Sequence, residues 1–239
     1  MAIETSLFFT TNNRQDDCIL CLNNLKTQMP DSSELFLLDD WHIKNEVLEN
    51  YCKKNNFFYI HTGAQKNNKL KFRMPGYALN IGFKKSSGKI IVFGNAEIFL
   101  QEKNTLQYLI TLAKTNTICS PKILMEEICR ESNQYSEGNS LLPFFWAMPA
   151  NIYKNIGGYD EDFTGYCFDD NDFSDRARSL APFKILNSIA IHLWNIRGIK
   201  NRKDINLTNR DWHYNKNLYE TRKHIIQRNK ERSWGTFIE

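Results

Sequence analysis

GGYDEDFTGYCFDDNDFSDRAR, the stretch from Gly157 to Arg178, crowds seven acidic residues directly behind a glycine pair. Carboxylates this close oppose one another's ionisation, and folding tolerates them poorly unless a metal, a sugar hydroxyl or a transferred proton takes up the charge. What Asp169, Asp170 and Asp172 hold is therefore the question the chain poses. Helical spacing runs from about Asp170 to Leu180, and Arg176 and Arg178 fall where they can neutralise the cluster, one by pairing with Asp172. Asp160, Glu161 and Asp162 read as a solvated turn, and Asp170 reads either as a working carboxylate or as a helix N-cap.

Upstream of the run, buried apolar stretches alternate with amphipathic ones. Ser6–Thr10, Glu34–Leu38 and Phe57–Ile60 read as strands, separated by helices at Gln15–Gln28 and Ile43–Lys54. Such alternation predicts an α/β fold, a mostly parallel central sheet flanked by helices, with ligands at the carboxyl ends of the strands. The loop His61–Arg73 and a helix at Gly76–Lys85 lead to a fourth strand, Ile90–Phe93, which ends in Gly94, Asn95, Ala96 and Glu97. Beyond it the reading gives a helix at Thr105–Lys114, a strand at Thr117–Ser120 and an irregular surface excursion over Ile123–Asn139. An apolar run, Pro143–Met148, then leads to a helix start at Pro149 or Ala150, and Phe183–His192 is the last strand.

Bulk composition narrows the function classes. A chain of 239 residues suits one large domain. No apolar run approaches the roughly 20 residues that cross a bilayer. The start MAIETSLFFTTNNRQ lacks the basic opening and small-residue cleavage site of a signal peptide, so a cytoplasmic location is expected. The six cysteines show no secreted-scaffold spacing and are expected as free thiols; Cys18 and Cys21 form a CxxC whose spacing suits one helix face. The formal charge of +4 hides an asymmetry, because residues 197 to 232 hold eleven Lys or Arg against four Asp or Glu. The expected organisation is a domain over residues 1–196 and a basic extension over 197–239, packed on or closing over the site. Such a tail attracts phosphate or serves as a solvated helix face.

Four landmarks in this order resemble the GT-A glycosyltransferases, in particular the family 2 transferases and the related galactosyltransferase C-terminal pattern. TTNNR at Thr10–Arg14 resembles the T-x-N-R end of the first strand, and LLDDW at Leu37–Trp41 the D-D end of the second. GYALNIGFKKSSGKIIVF, Gly76 to Phe93, resembles the helix and strand that precede the D-x-D motif. The opening stretch resembles the G-(G/W)-(F/Y)-D-E-x-F…G-x-E-D-x-(D/E) segment, and it is the longest and most specific of the four.

The resemblance implies a nucleotide-sugar donor, with a UDP-sugar expected, held by Thr10, Asn13, Arg14, Asp39, Arg73, Asn80, Asn95 and Ala96. A uracil ring offers an N–H that Asp39 can accept and carbonyls to which Asn13 or Arg14 can donate. It implies a divalent metal, Mn2+ or Mg2+, at Glu97, with His192 as a further ligand or as a packed core histidine. This chain carries Asn95-Ala96-Glu97 where the family has D-x-D, which keeps only the last carboxylate. By the E-D-x-(D/E) match, Asp169 bonds an acceptor hydroxyl, Asp170 removes its proton in an inverting transfer, and Asp172 supports them. Trp146 reads as an acceptor-stacking wall or as buried sheet packing, and Trp194, Trp212 and His213 as a cover for the donor or as core. The acceptor is a glycan, a lipid-linked species or another hydroxyl. Alternatives are a transferase acting on DNA bases, which the tail's Trp212, Tyr214, Tyr219 and Trp234 would suit, and a catalytically silent sugar-nucleotide-binding module.

Overall fold

The computed structural model describes residues 2–62, 75–126, 135–164, 167–193 and 209–236. The first half alternates as the pattern requires: β1 (Thr5–Thr11), α1 (Gln15–Lys26), β2 (Ser33–Asp39), α2 (Glu46–Lys54), β3 (Phe58–His61), α3 (Pro75–Lys85) and β4 (Ile90–Asn95). β5 (Ile98–Leu100), α4 (Thr105–Ala113), β6 (Ile118–Glu126), β7 (Tyr135–Glu137) and β8 (Phe145–Pro149) follow. The chain closes with α5 (Ala150–Asn155), α6 (Asp169–Arg178), β9 (Phe183–His192) and a last helix, α7 (Asn209–Arg222). Among the described residues no helix is long and apolar enough to cross a membrane.

One mixed sheet runs in the order β3-β2-β1-β4-β8-β6-β9-β5, with β7 paired to β6. The half made of β3, β2, β1 and β4 is parallel throughout, whereas β8, β5 and β7 run against their neighbours. All seven residues of β1 are buried because helices cover both faces, which is why the strand reads as a continuous apolar run. On one face Leu7, Phe9 and Val92 pack under α1 and α4; on the other Phe8, Phe93, Trp146 and Tyr153 pack with α3, α5 and α6. Cys18 and Cys21 both lie on the buried side of α1, outside any disulfide, which fits the one-face spacing.

The excursion expected over Ile123–Asn139 is not irregular at its start. β6 passes through Pro121 at a register shift between Ser120 and Lys122 and continues to Glu126, with Ile123 fully buried. A bulge lets a strand carry a proline, the residue that otherwise ends pairing. β7 pairs back on it, and residues 127–134 lie outside the described residues. The basic extension is likewise no appendage: α7 and the segment to Thr236 pack onto the acidic run, and Trp234 stacks on Phe83 at a centroid separation of 5.9 Å.

Candidate active site

The parallel strands end together, so β1 delivers Thr10 and Thr11, β2 Asp39 and Asp40, and β4 Asn95 to one edge of the sheet; Thr10 pairs with Leu38 and Asn95, and Thr11 with Asp39. β9 lies parallel to β6 and brings His192 to the same edge, where its Nε2 is 3.2 Å from Asn95 Nδ2. α6 descends from this edge across β4 and β8, since Phe173 meets Phe93 and Trp146, while Ala177 and Ala181 reach the Ile118 end of the core. Asp169 and Asp170 stand about one helical turn before Phe173, roughly 5 Å along the axis.

Asp169 and Asp170 open α6 in a place of unusual strain. Phe168 and Cys167 before them both have positive φ, 72° and 71°, conformations that ordinary side chains seldom adopt. No side chain caps the helix, so the N-cap reading of Asp170 does not hold: Phe168 takes that position and Asp170 lies inside the first turn. Asp169 is buried, and burial together with the charge of Asp170 pushes its carboxyl well above the usual carboxylate range. Burial pushes Asp170 up to about 6, against the hydrogen bond that Tyr159 Oη donates to its Oδ1 at 3.2 Å.

The remaining acids of the run are spoken for, which corrects two expectations. Asp172 does not face an acceptor: it is buried between Arg176, whose Nε and Nη2 lie 2.8 and 2.7 Å from Oδ2, and Arg228, whose Nη2 lies 2.6 Å from Oδ1. Asp160, Glu161 and Asp162 are no solvated turn. Asp160 is buried against Arg222, Arg228 and Arg232, Asp162 pairs with Arg222 and Arg232, and Glu161 accepts from Asn80 and the Gly235 N–H. The excess of arginine near the C-terminus and the excess of acid at 157–178 are thus two halves of one structure.

Gly157 and Gly158 let the turn close this tightly. Both have positive φ, 74° and 68°, and a Cβ on Gly157 would stand 2.0 Å from the Arg228 carbonyl oxygen, on Gly158 2.3 Å from Asn80 Oδ1. Asn80 is a second correction of role. It is fully buried, its Nδ2 donates to Tyr159 O and Glu161 Oε1, and its Oδ1 accepts from Tyr153 Oη and the Tyr159 N–H. All four hydrogen-bonding directions of the amide are filled by the chain, so Asn80 braces the turn instead of meeting a nucleotide sugar. Trp146, also fully buried, donates from Nε1 to Ser140 O and packs on Phe183; it is sheet packing and not an acceptor wall.

At the strand ends the carboxylates are held by the chain. Asp39 accepts from the N–H groups of Trp41 and Asn45, at 3.2 and 3.0 Å, and from Tyr59 Oη at 2.5 Å, which shapes the loop after β2. Asp40 accepts from Thr62 Oγ1 at 2.6 Å. Glu97 is buried beside Arg14, 3.7 Å away, and Thr11 Oγ1, 3.3 Å away; burial pushes it up to about 6, with Arg14 opposing the shift. Arg14 Nη1 also donates to Leu193 O at 3.3 Å, and among the described residues nothing takes its Nε or Nη2. Asn13 stands in the left-handed region at φ 54° in the turn between β1 and α1, Ala96 is buried and donates its N–H to Thr10 O, and Arg73 and Trp194 lie outside the described residues.

The divalent ion implied by the resemblance does not match this donor set. Glu97 turns to a guanidinium and a hydroxyl, His192 turns to the amide of Asn95, and among the described residues no three His, Cys, Asp or Glu side chains gather around one point.

No protein-family model matches the chain, and no curated protein sequence matches it. Its fold does have counterparts, and it is a GT-A fold. S. aureus TarS, a glycosyltransferase of GT-A-like fold, aligns in several crystal structures. TarS 1–349 in complex with UDP gives a TM-score of 0.60 at 16% identity over 79% of this chain and 60% of that one. The complex with UDP-GlcNAc gives 0.59 at 16% identity over 81% and 60%. The longer TarS structure gives 0.59 at 14% identity over 95% of this chain and 44% of its own. The chain therefore spans about 60% of TarS 1–349 and less of the longer form.

Proposed function

We propose that the chain is a glycosyltransferase that moves a sugar from a UDP-sugar to an acceptor hydroxyl with inversion, Asp170 serving as general base. The observation that carries this reading is the acid pair itself. Two adjacent carboxyl groups with raised proton affinity open α6, a helix whose start no side chain caps, while Asp160, Asp162 and Asp172 of the same run are paired with arginines. TarS, which shares the fold, has been solved with UDP and with UDP-GlcNAc, which supports the choice of donor.

In the proposed step the acceptor hydroxyl gives its proton to the Asp170 carboxylate as its oxygen bonds to C1 of the sugar from the face opposite the nucleotide. The C1–O bond to UDP breaks, and its electron pair leaves with the diphosphate. Asp169, whose proton affinity is raised by burial and by the charge of Asp170, is fit to hold the acceptor by a hydrogen bond. Arg14 presents cationic N–H groups that suit diphosphate oxygens and the charge that grows there. Three of the tail's basic residues, Arg222, Arg228 and Arg232, face aspartates of the same chain.

The test is a panel of UDP-sugars read by thermal shift and by UDP release, with Asp170→Asn as control. A ligand of the folded state raises the melting temperature. At least one UDP-sugar is expected to do so and to be turned over by the wild type but not by the variant. If none binds, or if the variant releases UDP at the wild-type rate, the reading fails.

A further inference from the structure

Arg228 touches both pieces of chain that bring Tyr159 to Asp170. Its Nε lies 3.0 Å from Asp160 Oδ2, next to Tyr159 in the turn, and its Nη2 2.6 Å from Asp172 Oδ1, in the first turn of α6. All the side chains concerned are buried, and Arg228 is itself anchored: Nη2 donates to Arg222 O at 2.7 Å, Nη1 to Ile225 O, and its backbone N–H to Ile156 O at 2.9 Å. Arg176 binds the same two pieces from the helix side, donating from Nη1 to the carbonyls of Ile156 and Gly158 at 2.8 and 2.9 Å while holding Asp172. Between the two anchored acids stands Tyr159, its ring stacked on Phe173 of α6 at 4.2 Å and its hydroxyl on Asp170.

Resting on the proposed reaction, we infer that Arg228 is a positioning residue of the active site: by holding Asp160 and Asp172 at once it fixes the Tyr159–Asp170 hydrogen bond, and with it the aim of the base. A planar guanidinium can bridge two carboxylates in a set geometry, whereas an ammonium is a point donor on a flexible stem. Arg228 touches no reacting atom in this arrangement. It acts through the turn and the helix that it ties together, so the C-terminal segment is part of the catalytic unit.

The experiment is a carbon-13 NMR titration of the Asp170 carboxyl in the full chain, comparing wild type with Arg228→Lys, Tyr159→Phe and the double variant. Arg228→Lys keeps the charge and is expected to fold. Its Asp170 is expected to titrate about half a pH unit higher, about a threefold gain in proton affinity, because the donor from Tyr159 is no longer held. Tyr159→Phe is expected to give the same shift, and the double variant no more than either single, since both remove one interaction. An Asp170 titration unchanged in Arg228→Lys, or shifts that simply add in the double variant, would overturn the inference. None of these readings uses substrate. An Asp170→Asn protein with wild-type UDP release would remove the proposed reaction and leave the titration result standing.

Discussion

Two sets of carboxylates, one where the parallel strands end and one in the first turn of α6, are partnered in different ways. Asp39 and Glu97, carried by strand ends, are each supplied with donors: two backbone N–H groups and a phenol for one, an arginine and a threonine for the other. In the first turn of α6, Asp169 has backbone N–H groups of its own turn, and Asp170 has one tyrosine hydroxyl. Donors gathered around a carboxylate fix the shape of the chain that supplies them. A carboxyl pressed against its like holds a proton and can exchange it. In the proposed reaction the strand-end half is the donor cradle and the helix half the place where a proton moves.

The hardest blow to this contrast is Asp170→Asn. Removing the base while keeping the shape is expected to lower turnover about a thousandfold, with UDP affinity from isothermal titration unchanged because the strand ends are untouched. A variant that loses UDP binding as well would show that the two halves are not separable. Next in size is Arg14→Ala, which leaves Glu97 buried without its cation and is expected to cost about 2 kcal/mol in urea unfolding at pH 8. Adding Glu97→Gln should return most of that loss, since the residue left behind is then neutral. If it does not, Arg14 holds α1 by something other than its pairing with Glu97.

The pH dependence sharpens the comparison through its sign. In the proposed reaction Asp170 must be ionised to act, and burial pushes its carboxyl up to about 6, so kcat/KM is expected to fall about tenfold per pH unit below that point. Stability runs the other way. A carboxyl whose affinity for a proton is raised by folding binds more protons in the native state than in the unfolded chain between the ordinary carboxylate range and pH 6. Unfolding free energy therefore falls as pH climbs through that window, and the raised proton affinity of Asp169 acts in the same direction. Activity rising while stability falls over the same interval is the signature of the helix pair, and Asp170→Asn should weaken both trends. Glu97 also releases its proton near 6, so the stability trend that survives in Asp170→Asn should weaken further when Glu97→Gln is added.

Much of this was legible in the sequence because it follows from period and punctuation. Buried runs such as Ser6–Thr10 and Ile90–Phe93 could be little else than covered strands, and polar residues behind them had to gather at one edge. The acid pair was legible as well, since Asp169 and Asp170 stand directly before a helical pattern. What sequence could not show was partnership across distance. Nothing local marks Asn80 as a brace for a turn some eighty residues later, or Tyr59 as the partner of Asp39. Trp146 is a tryptophan in an apolar run whichever way it faces, and only pairing with Phe93 in β4 decides that it is buried. Asp160 and Asp162 looked solvated because their arginines lie sixty and more residues onward. β5 is three residues long, too short to carry a period at all.

The smallest expected effect tests the strand-end half most finely. Tyr59→Phe removes the hydroxyl that donates to Asp39 and accepts the Asn45 N–H at 3.0 Å. Asp39 keeps the N–H groups of Trp41 and Asn45, and the Asn45 N–H keeps Asp39, so no buried group is left without a partner. The loss should then be that of one hydrogen bond, about 1 kcal/mol by urea unfolding, with the Asp170 titration unmoved. Tyr159→Phe removes a phenol of the same kind from the other half, where nothing else donates to Asp170 among the described residues, and there the titration should move. Two identical deletions, one read in stability alone and the other in proton affinity, separate a carboxylate that is held from one that is used.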